Sequence, residues 1–562
     1  MVKRFRMRSE EVLKSFITPR LSSFPWVISV TIVFACGLAY EPLYHIWRGS
    51  LAYSLIPQDD FYYYYLTAKH VAASGFSSFD GIVQTNGYHP LWMWCIAGLS
   101  FLARGNDSAC FIMVEIVQIL SSVVSAVLVL RLFKKLYGVQ PWLNPIALLV
   151  SLLLTVLIFL GMETVVCIPL YLLFWLKLYR VLLPDAKSIV GNNAYKSAIW
   201  AGFSGMLMVL ARLDTLIVIA LSILLLFIYK FDRKKIFAVF CGLTPLGIYF
   251  AYNKICFGAW FPVSAQAKQL SNGLHFSFRA IEAIGTPRGS LYFLLTVVGF
   301  LLAVIAVRRK RYADPTSVIR LLIFGFPIFF AIVLAFRLSW SSYVWYFYPF
   351  PISAGAALFE IRDRIPHKWQ QINDRLALSA LPIIMAFAFI ILFRDISGLT
   401  THLNLIESQA RAQPNIYIHA LGIKPFTDSH PGRYAMGDRA GLTSYITRQP
   451  FLQLEGLAAD QAMVDSIASR ADLLNVLRKY GVRYYVVSYP LREFHEHDWR
   501  WDLYEPHKQQ VQPWAPVMHG RFYAPEVFRF PAPVLANISH ADSATLWVTR
   551  ILDISQARGD AH

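Results

Sequence analysis

Charge is scarce in this chain. Of 562 residues only 15% are Asp, Glu, Lys or Arg, and the acidic ones are scarcer than the basic, 34 against 52. A soluble globular protein is about one quarter charged, so a soluble class is excluded for most of the length. Cysteine is also scarce and unevenly placed: Cys36, Cys95, Cys110, Cys167, Cys241 and Cys256 are all of it. Nothing beyond Cys256 can form an internal disulfide, and no CxxC or Cys/His cluster has zinc-site spacing. GxGxxG, GxxxxGK[ST] and GxSxG are missing as well, so nucleotide cradles and serine-hydrolase elbows lose their support.

What is present is apolar. Hydrophobic residues make up 56%, with 41 Phe, 29 Tyr and 15 Trp, which excludes disorder, collagen and coiled coil. A bilayer-crossing helix needs about 20 mostly apolar residues, and by that test about eleven spans are expected. They fall at 26–44, 112–132, 143–160, 165–182, 198–211, 216–229, 236–252, 292–307, 318–336, 343–359 and 376–393. The apolar stretch 90–103 is shorter, of re-entrant or interfacial length.

The net charge of +18 is explained by position. The N-terminal tail carries Lys3, Arg4, Arg6, Arg8, Lys14 and Arg20. Alternate connections carry Arg131/Lys134/Lys135, Lys177/Arg180/Lys187/Lys196, Lys230/Arg233/Lys234/Lys235, Arg308/Arg309/Lys310/Arg311 and Arg362/Arg364/Lys368/Arg375. Intervening connections carry few basic residues, so the count is roughly 25 against 9, a positive-inside bias. The tail is therefore expected in the cytoplasm, as an anchor and not a removed signal peptide. Nucleic acid is not needed to explain the charge. The expected fold class is a polytopic α-helical membrane domain, residues 1–393, with its first outer loop at about 46–110. A soluble α/β domain on the outer side follows at 394–562, inferred from the apolar patch Tyr484-Tyr485-Val486-Val487 and a helical stretch at 459–479.

The first outer loop carries the most chemistry: Asp59-Asp60-Phe61-Tyr62-Tyr63-Tyr64-Tyr65, then Thr85-Asn86-Gly87-Tyr88-His89-Pro90-Leu91-Trp92. Ionisable groups beside a bilayer are costly and commonly functional. One Asp suffices to cap a helix at 61–73 that Gly75 ends, with the tyrosines as an interfacial belt; the second is free to project into a cavity. His89 has two readings, as the start of an interfacial helix with Trp92 and Trp94 at the headgroups, or with Asn86 as a contact to a hydroxyl or phosphate. Glu163 is a first-turn acid matched to a helix dipole or a substrate contact. Arg212 and Asp214 pair with each other or serve a ligand. Lys268 and Arg337 snorkel or, together with the Asp pair, make an anion site. Carboxylates, cations and aromatic rings at headgroup depth suit a lipid-linked anionic substrate. A carboxylate removes a proton from an acceptor hydroxyl while Arg or Lys stabilises a departing phosphate.

With these residues the chain resembles the GT-C superfamily of integral-membrane glycosyltransferases, and within it the bacterial branch that includes the arabinofuranosyltransferase AftB. The resemblance rests on Asp59-Asp60-Phe61-Tyr62-Tyr63-Tyr64 and on Thr85 to Trp92. Gly161-Met162-Glu163-Thr164, Ala211-Arg212-Leu213-Asp214, Pro262-Val263-Ser264, Gly437-Asp438-Arg439-Ala440-Gly441 and Leu454-Glu455-Gly456-Leu457 add to it. It implies inverting transfer from a polyprenyl-phosphate sugar to a periplasmic glycan, lipid or protein acceptor at the bacterial inner membrane. No cofactor and no metal are implied. Asp59 would be the catalytic base, with Asp60 supporting it or exchanging roles. Lys268 and Arg337 would meet the donor phosphate, and Tyr63, Asn86, His89, Glu163 and Arg212 would contact substrate. The stretch from Asn86 to Trp92 departs from that branch's pattern, so no sugar is named. The rival class, a transporter or flippase of lipid-linked glycans, predicts internal repeats and mid-membrane charges. Here the charges gather at one face.

Overall fold

The computed structural model describes residues 24–49, 59–182, 192–228, 232–271, 273–309, 315–366, 369, 383, 412–490, 500–508, 510–532 and 547–559. The expected span 376–393, the expected boundary at 393/394 and the N-terminal basic tail lie outside these residues.

Hydropathy and length make the bundle. Among the described residues six helices are long and apolar enough to cross a bilayer: Pro25–Trp47, Asp107–Tyr137, Thr164–Leu182, Arg233–Phe257, Pro287–Arg308 and Pro315–Arg337. Shorter apolar helices at Leu143–Ile158 and Leu213–Ile228 stand between them, as does the helix Asn192–Ala211. The chain is a multi-pass membrane protein. The expected span 343–359 is not one helix. Val344–Phe347 forms a 3-10 turn, and a separate 14-residue helix runs Pro349–Arg362. Pro349 and Pro351 lack the N–H groups that would continue the turn's hydrogen bonds, and Pro349 opens the new helix at its first position. At about 1.5 Å per residue that helix reaches about 21 Å, short of a hydrocarbon core of about 30 Å.

The helix Pro90–Leu102, at 13 residues, is shorter than the six that are long enough to cross. Near its start, the Tyr64 hydroxyl bonds the His89 backbone. Just past its end, Asp107 accepts from Lys69 Nζ at 2.6 Å and from the Tyr65 hydroxyl at 2.7 Å. Both ends therefore lie beside one short helix, Asp59–Ser74, which we call the loop helix. Its terminus is as expected: Gly75 takes φ +74°, and its N–H bonds the Val71 carbonyl, a left-handed position that glycine adopts without strain. Its tyrosines are not an interfacial belt. Tyr62, Tyr63, Tyr64 and Tyr65 are all buried, as is Phe61. Five successive helical residues, about 100° apart, cover the whole circumference, so the loop helix is enclosed on every side. The bundle covers one side through Phe111, and the C-terminal domain covers another through Tyr445, 5.0 Å from Tyr62 between ring centres. Trp92 also leaves the headgroup region: it is fully buried and donates to the Gly161 carbonyl at 3.0 Å.

The C-terminal region has a five-stranded sheet in the order β2-β1-β3-β7-β6. These are β1 (Tyr434–Met436), β2 (Phe451–Gln453), β3 (Tyr484–Pro490), β6 (Glu526–Ala532) and β7 (Trp547–Asp553). β1 runs parallel to β2 and β3, while β7 is antiparallel to β3 and β6. A smaller sheet pairs β4 (Trp501–Glu505), β5 (Met518–Tyr523) and β8 (Arg558–Gly559). The patch Tyr484 to Val487 is the start of the central strand, buried at each of those positions. The expected helix at 459–479 is two, Gln461–Ala468 and Leu473–Lys479. Asp460 and Asp472 each cap one, accepting from Met463 N and Asn475 N, which is the satisfaction of otherwise orphan donors.

Candidate active site

A cavity of about 510 Å³ forms where separate stretches of chain converge at one end of the bundle. Of the residues expected from the sequence, Asp60, Tyr63, His89, Glu163, Arg212, Lys268 and Arg337 line it. Asp59 and Asn86 do not. Asn86 Oδ1 instead accepts from Val263 N at 3.1 Å and so fixes the short helix Val263–Ala267 that leads to Lys268. Phe261, Phe330, Val333, Leu334 and Leu338 give the cavity an apolar wall. The volume is that of a small-molecule site.

One half of the cavity is closed by its own ion pairs. Arg212 Nη1 donates to Glu163 Oε1 at 2.6 Å, and Nη2 donates to Asp214 Oδ2 at 2.5 Å. Glu163 also accepts from the Tyr64 hydroxyl at 3.1 Å. Arg212 is 1% exposed and lies over the rings of Tyr346 and Tyr348, 4.6 and 5.6 Å from their centres. Burial opposes its charge; Asp214 and Glu163 outweigh burial and hold it well above the ordinary guanidinium range. His89 Nε2 stands 3.9 Å from Glu163 Oε1, and Nδ1 accepts from Leu213 N at 3.4 Å. Burial, with Arg212 and Lys268 nearby, lowers the His89 pKa against the pull of Glu163 and Asp214.

The other half is open. Among the described residues Lys268 Nζ has one hydrogen-bond partner, the Tyr346 hydroxyl at 3.5 Å. Its carbonyl is held by Ser339 N and Oγ at 2.9 and 2.8 Å, which ties it to the segment after helix Pro315–Arg337. Arg337, exposed, has no hydrogen bond or ion pair among the described residues. Burial disfavours the Lys268 charge, but Tyr346, Asp60 and Glu163 outweigh it and raise its pKa. Asp60 accepts no hydrogen bond among the described residues. Burial pushes its carboxyl above the usual range, Lys268 opposes, and Asp438 and Glu163 add to the rise.

Asp59, one residue earlier, is fully engaged elsewhere. After β1 the chain passes Gly437, Asp438 and Arg439 and enters the helix Ala440–Thr447. Leu442 N donates to Asp59 Oδ1 at 2.7 Å, a carboxylate at a helix N-terminus where free N–H groups and the dipole favour it. Tyr63 adds a second hydrogen bond. Burial leads the rise of its pKa to about 7, with Asp438 and Asp60 contributing and those two hydrogen bonds opposing. This contact is close: a Cβ on Gly441 would lie 2.6 Å from the Asp59 carbonyl oxygen, and one on Gly87 would lie 1.9 Å from that of Leu457. Both glycines are where they are because the C-terminal domain seats backbone on backbone. Trp340 pairs with Val511 and Arg433 Nη2 donates to Asp80 at 2.9 Å, further contacts between the C-terminal domain and the rest of the chain. Leu457 itself reaches the cavity wall.

Sequence reasoning gave no role to Tyr346, which the break before Pro349 turns toward Arg212 and Lys268. It also gave none to Glu455, quoted only as part of Leu454-Glu455-Gly456-Leu457. Glu455 is 2% exposed. Burial, then Asp438, Glu505, Asp60 and Asp59, hold its pKa well above the usual range. Asp438, quoted only within Gly437-Asp438-Arg439-Ala440-Gly441, adds to the rise at both loop carboxylates. Among the described residues no group of three His, Cys, Asp or Glu side chains is arranged to hold a metal ion.

No family model matches the chain, and no curated protein matches it. Solved structures do. ArnT from Cupriavidus metallidurans bound to undecaprenyl phosphate matches at 11% identity and a TM-score of 0.51, over 82% of this chain and 93% of that one. The chain has the GT-C fold. The Archaeoglobus fulgidus oligosaccharyltransferase tethered with an acceptor peptide also matches, at 11% identity and a TM-score of 0.48, over 82% of this chain and 69% of that one.

Proposed function

We propose that the chain is an inverting membrane glycosyltransferase of the GT-C type, related to the branch that includes AftB. It moves a sugar from a polyprenyl-phosphate donor to a glycan, lipid or protein acceptor of the cell envelope. One observation carries this reading. A single cavity holds a carboxylate, Asp60, and two cations, Lys268 and Arg337, against an apolar wall; among the described residues the carboxylate has no hydrogen bond and the cations no carboxylate partner. ArnT, whose fold the chain shares, has been solved with undecaprenyl phosphate, which supports a lipid phosphate as the anion.

In this reading Lys268 and Arg337 bind the donor phosphate, and the apolar wall takes the first prenyl units. Asp60 accepts the proton of the acceptor hydroxyl as its oxygen bonds to the anomeric carbon. The bond from that carbon to the phosphate oxygen breaks with its electron pair, and the configuration inverts. Lipid phosphate leaves as an anion between the two cations, so no separate acid is required. A raised pKa makes Asp60 a stronger base than a solvated carboxylate. Asp59 supports it by holding the loop helix to the C-terminal domain. Tyr63, His89 and Glu163 face the sugar. The site is placed on the periplasmic side of a bacterial inner membrane, with the N-terminus cytoplasmic, as the basic connections indicate.

The test is the purified protein in nanodiscs with a panel of radiolabelled polyprenyl-phosphate sugars and a cell-envelope extract as acceptor. Label passes to acceptor with inverted anomeric configuration. Asp60→Asn lowers kcat by about 10²- to 10⁴-fold, the range of general-base catalysis, and donor still binds. Transfer that survives Asp59→Asn and Asp60→Asn, singly and together, overturns the reading. So does passage of intact lipid-linked glycan across vesicles with its sugar linkage unbroken.

A further inference from the structure

The cations at the opposite end of the bundle are not used by the chemistry above. Arg131, Lys134 and Lys135 come from the last turns of helix Asp107–Tyr137, and Lys177 and Arg180 from the last turns of helix Thr164–Leu182. Both helices begin at the cavity end: Asp107 pairs with Lys69 of the loop helix, and Thr164 follows Glu163. The 19 residues of the second helix rise about 28 Å at 1.5 Å per residue, so its basic end lies one membrane thickness away. There the five cations and Tyr179 line a concave pocket of about 650 Å³ together with Leu128, Leu173 and Leu176.

Among the described residues the pocket has no acid in its lining, and none of the five cations has an ion pair or hydrogen bond. Three other described cations near this end are paired. Arg320 and Arg364 both pair with Glu360, at 3.1 and 3.0 Å, and Arg362 pairs with Asp363 at 3.5 Å. An orientation signal needs only basic residues on a connection; it does not need five of them around one concavity. Lys135 Nζ stands 5.3 Å from the Tyr179 ring centre, which holds it over the pocket. Three leucines in the same lining give the pocket an apolar side, as a headgroup continuous with acyl chains requires.

We propose that this pocket is a binding site for an anionic phospholipid headgroup bearing two phosphates, that is, a diphosphatidyl lipid. Basic pockets between transmembrane helices recognise such headgroups by point charge, with the chains lying along the leucines. The site is separate from the cavity and stands whether or not the chain transfers a sugar.

Native mass spectrometry of the full-length protein tests it, with cardiolipin, phosphatidylcholine and soluble inorganic pyrophosphate as probes. Cardiolipin is retained about tenfold better than phosphatidylcholine, raises the thermal midpoint, and loses its advantage in high salt. Lys134→Gln with Lys177→Gln weakens retention by about fivefold per charge, while Arg308→Gln, a basic change outside the pocket, leaves it unchanged. Equal retention of the two lipids by the unmodified protein overturns the proposal without any variant. Unchanged cardiolipin retention in the double variant, or displacement of cardiolipin by equimolar pyrophosphate, overturns it as well.

Discussion

The two halves of the cavity hold the same residue types to different ends. In the first, Glu163, Arg212 and Asp214 satisfy one another within 2.6 Å, and Tyr64 and Tyr346 complete the set. In the second, Asp60, Lys268 and Arg337 stand without ionic partners inside hydrogen-bond reach among the described residues. A buried charge is tolerated when it is paired and hydrogen-bonded, so the first half is a structural keystone whose charges are already consumed. An unpaired set beside a bilayer is retained at a cost and is available to a ligand. A charged residue in a cleft is therefore not informative by itself; what it already touches decides.

The sharpest way to break the comparison is to move a stability effect into the first half. Arg212→Met leaves Glu163 and Asp214 buried without their cation, and removal of one partner from a buried pair costs about 3–5 kcal/mol. Thermal unfolding of the detergent-solubilised protein falls accordingly, while Glu163→Gln, which keeps the Arg212–Asp214 bond, falls less. If Arg212→Met unfolds with the unmodified protein and only loses activity, the two halves are not distinct.

In the second half the effects are expected in kinetics. Lys268→Gln or Arg337→Gln each removes a charged hydrogen bond to phosphate, worth about 1.5–3 kcal/mol, or roughly 10- to 100-fold in kcat/KM for the lipid donor. Stability changes by no more than about 0.5 kcal/mol, as for substitutions away from structural pairs. A large drop in thermal midpoint with unchanged donor kinetics would reverse the assignment of these cations.

This division was only partly visible in the sequence. The apolar runs were legible because bilayer thickness imposes one length on them, and the run at 343–359 misled because its residues are apolar while Pro349 and Pro351 break the backbone. Asp59 and Asp60 stood out because adjacent carboxylates are rare in so apolar a chain. Which of them enters the cavity was not legible: the donor that occupies Asp59 is Leu442 N, hundreds of residues away in another domain. The tyrosines were misread for the same reason, since their burial depends on a domain that hydropathy places outside the membrane but cannot dock. Arg212 with Asp214 was a local pair readable by spacing; Glu163, which completes the keystone, lies in the turn before helix Thr164–Leu182, and its pairing with Arg212 has no local signal. Gly87 and Gly441 carry no signal of their own in the sequence until Leu457 and Asp59 are seen against them.

The finest distinction between the halves lies in how Asp60 titrates. If it is the base, kcat/KM rises with pH as Asp60 ionises and levels off above its pKa. Burial, Asp438 and Glu163 raise that pKa and Lys268 lowers it, so two substitutions push the acid limb in opposite directions. Asp438→Asn removes a negative neighbour, makes ionisation easier and moves the limb to lower pH. Lys268→Gln removes the positive neighbour and moves it to higher pH, beyond any loss of donor affinity. Profiles of kcat/KM against pH for the three proteins check the signs. The Asp59 carboxyl is also raised, to about 7, and Asp59→Asn separates its contribution: a limb that persists in that variant and vanishes in Asp60→Asn belongs to Asp60. Two limbs that move together, or not at all, would show that the open carboxylate is not the one that takes the proton.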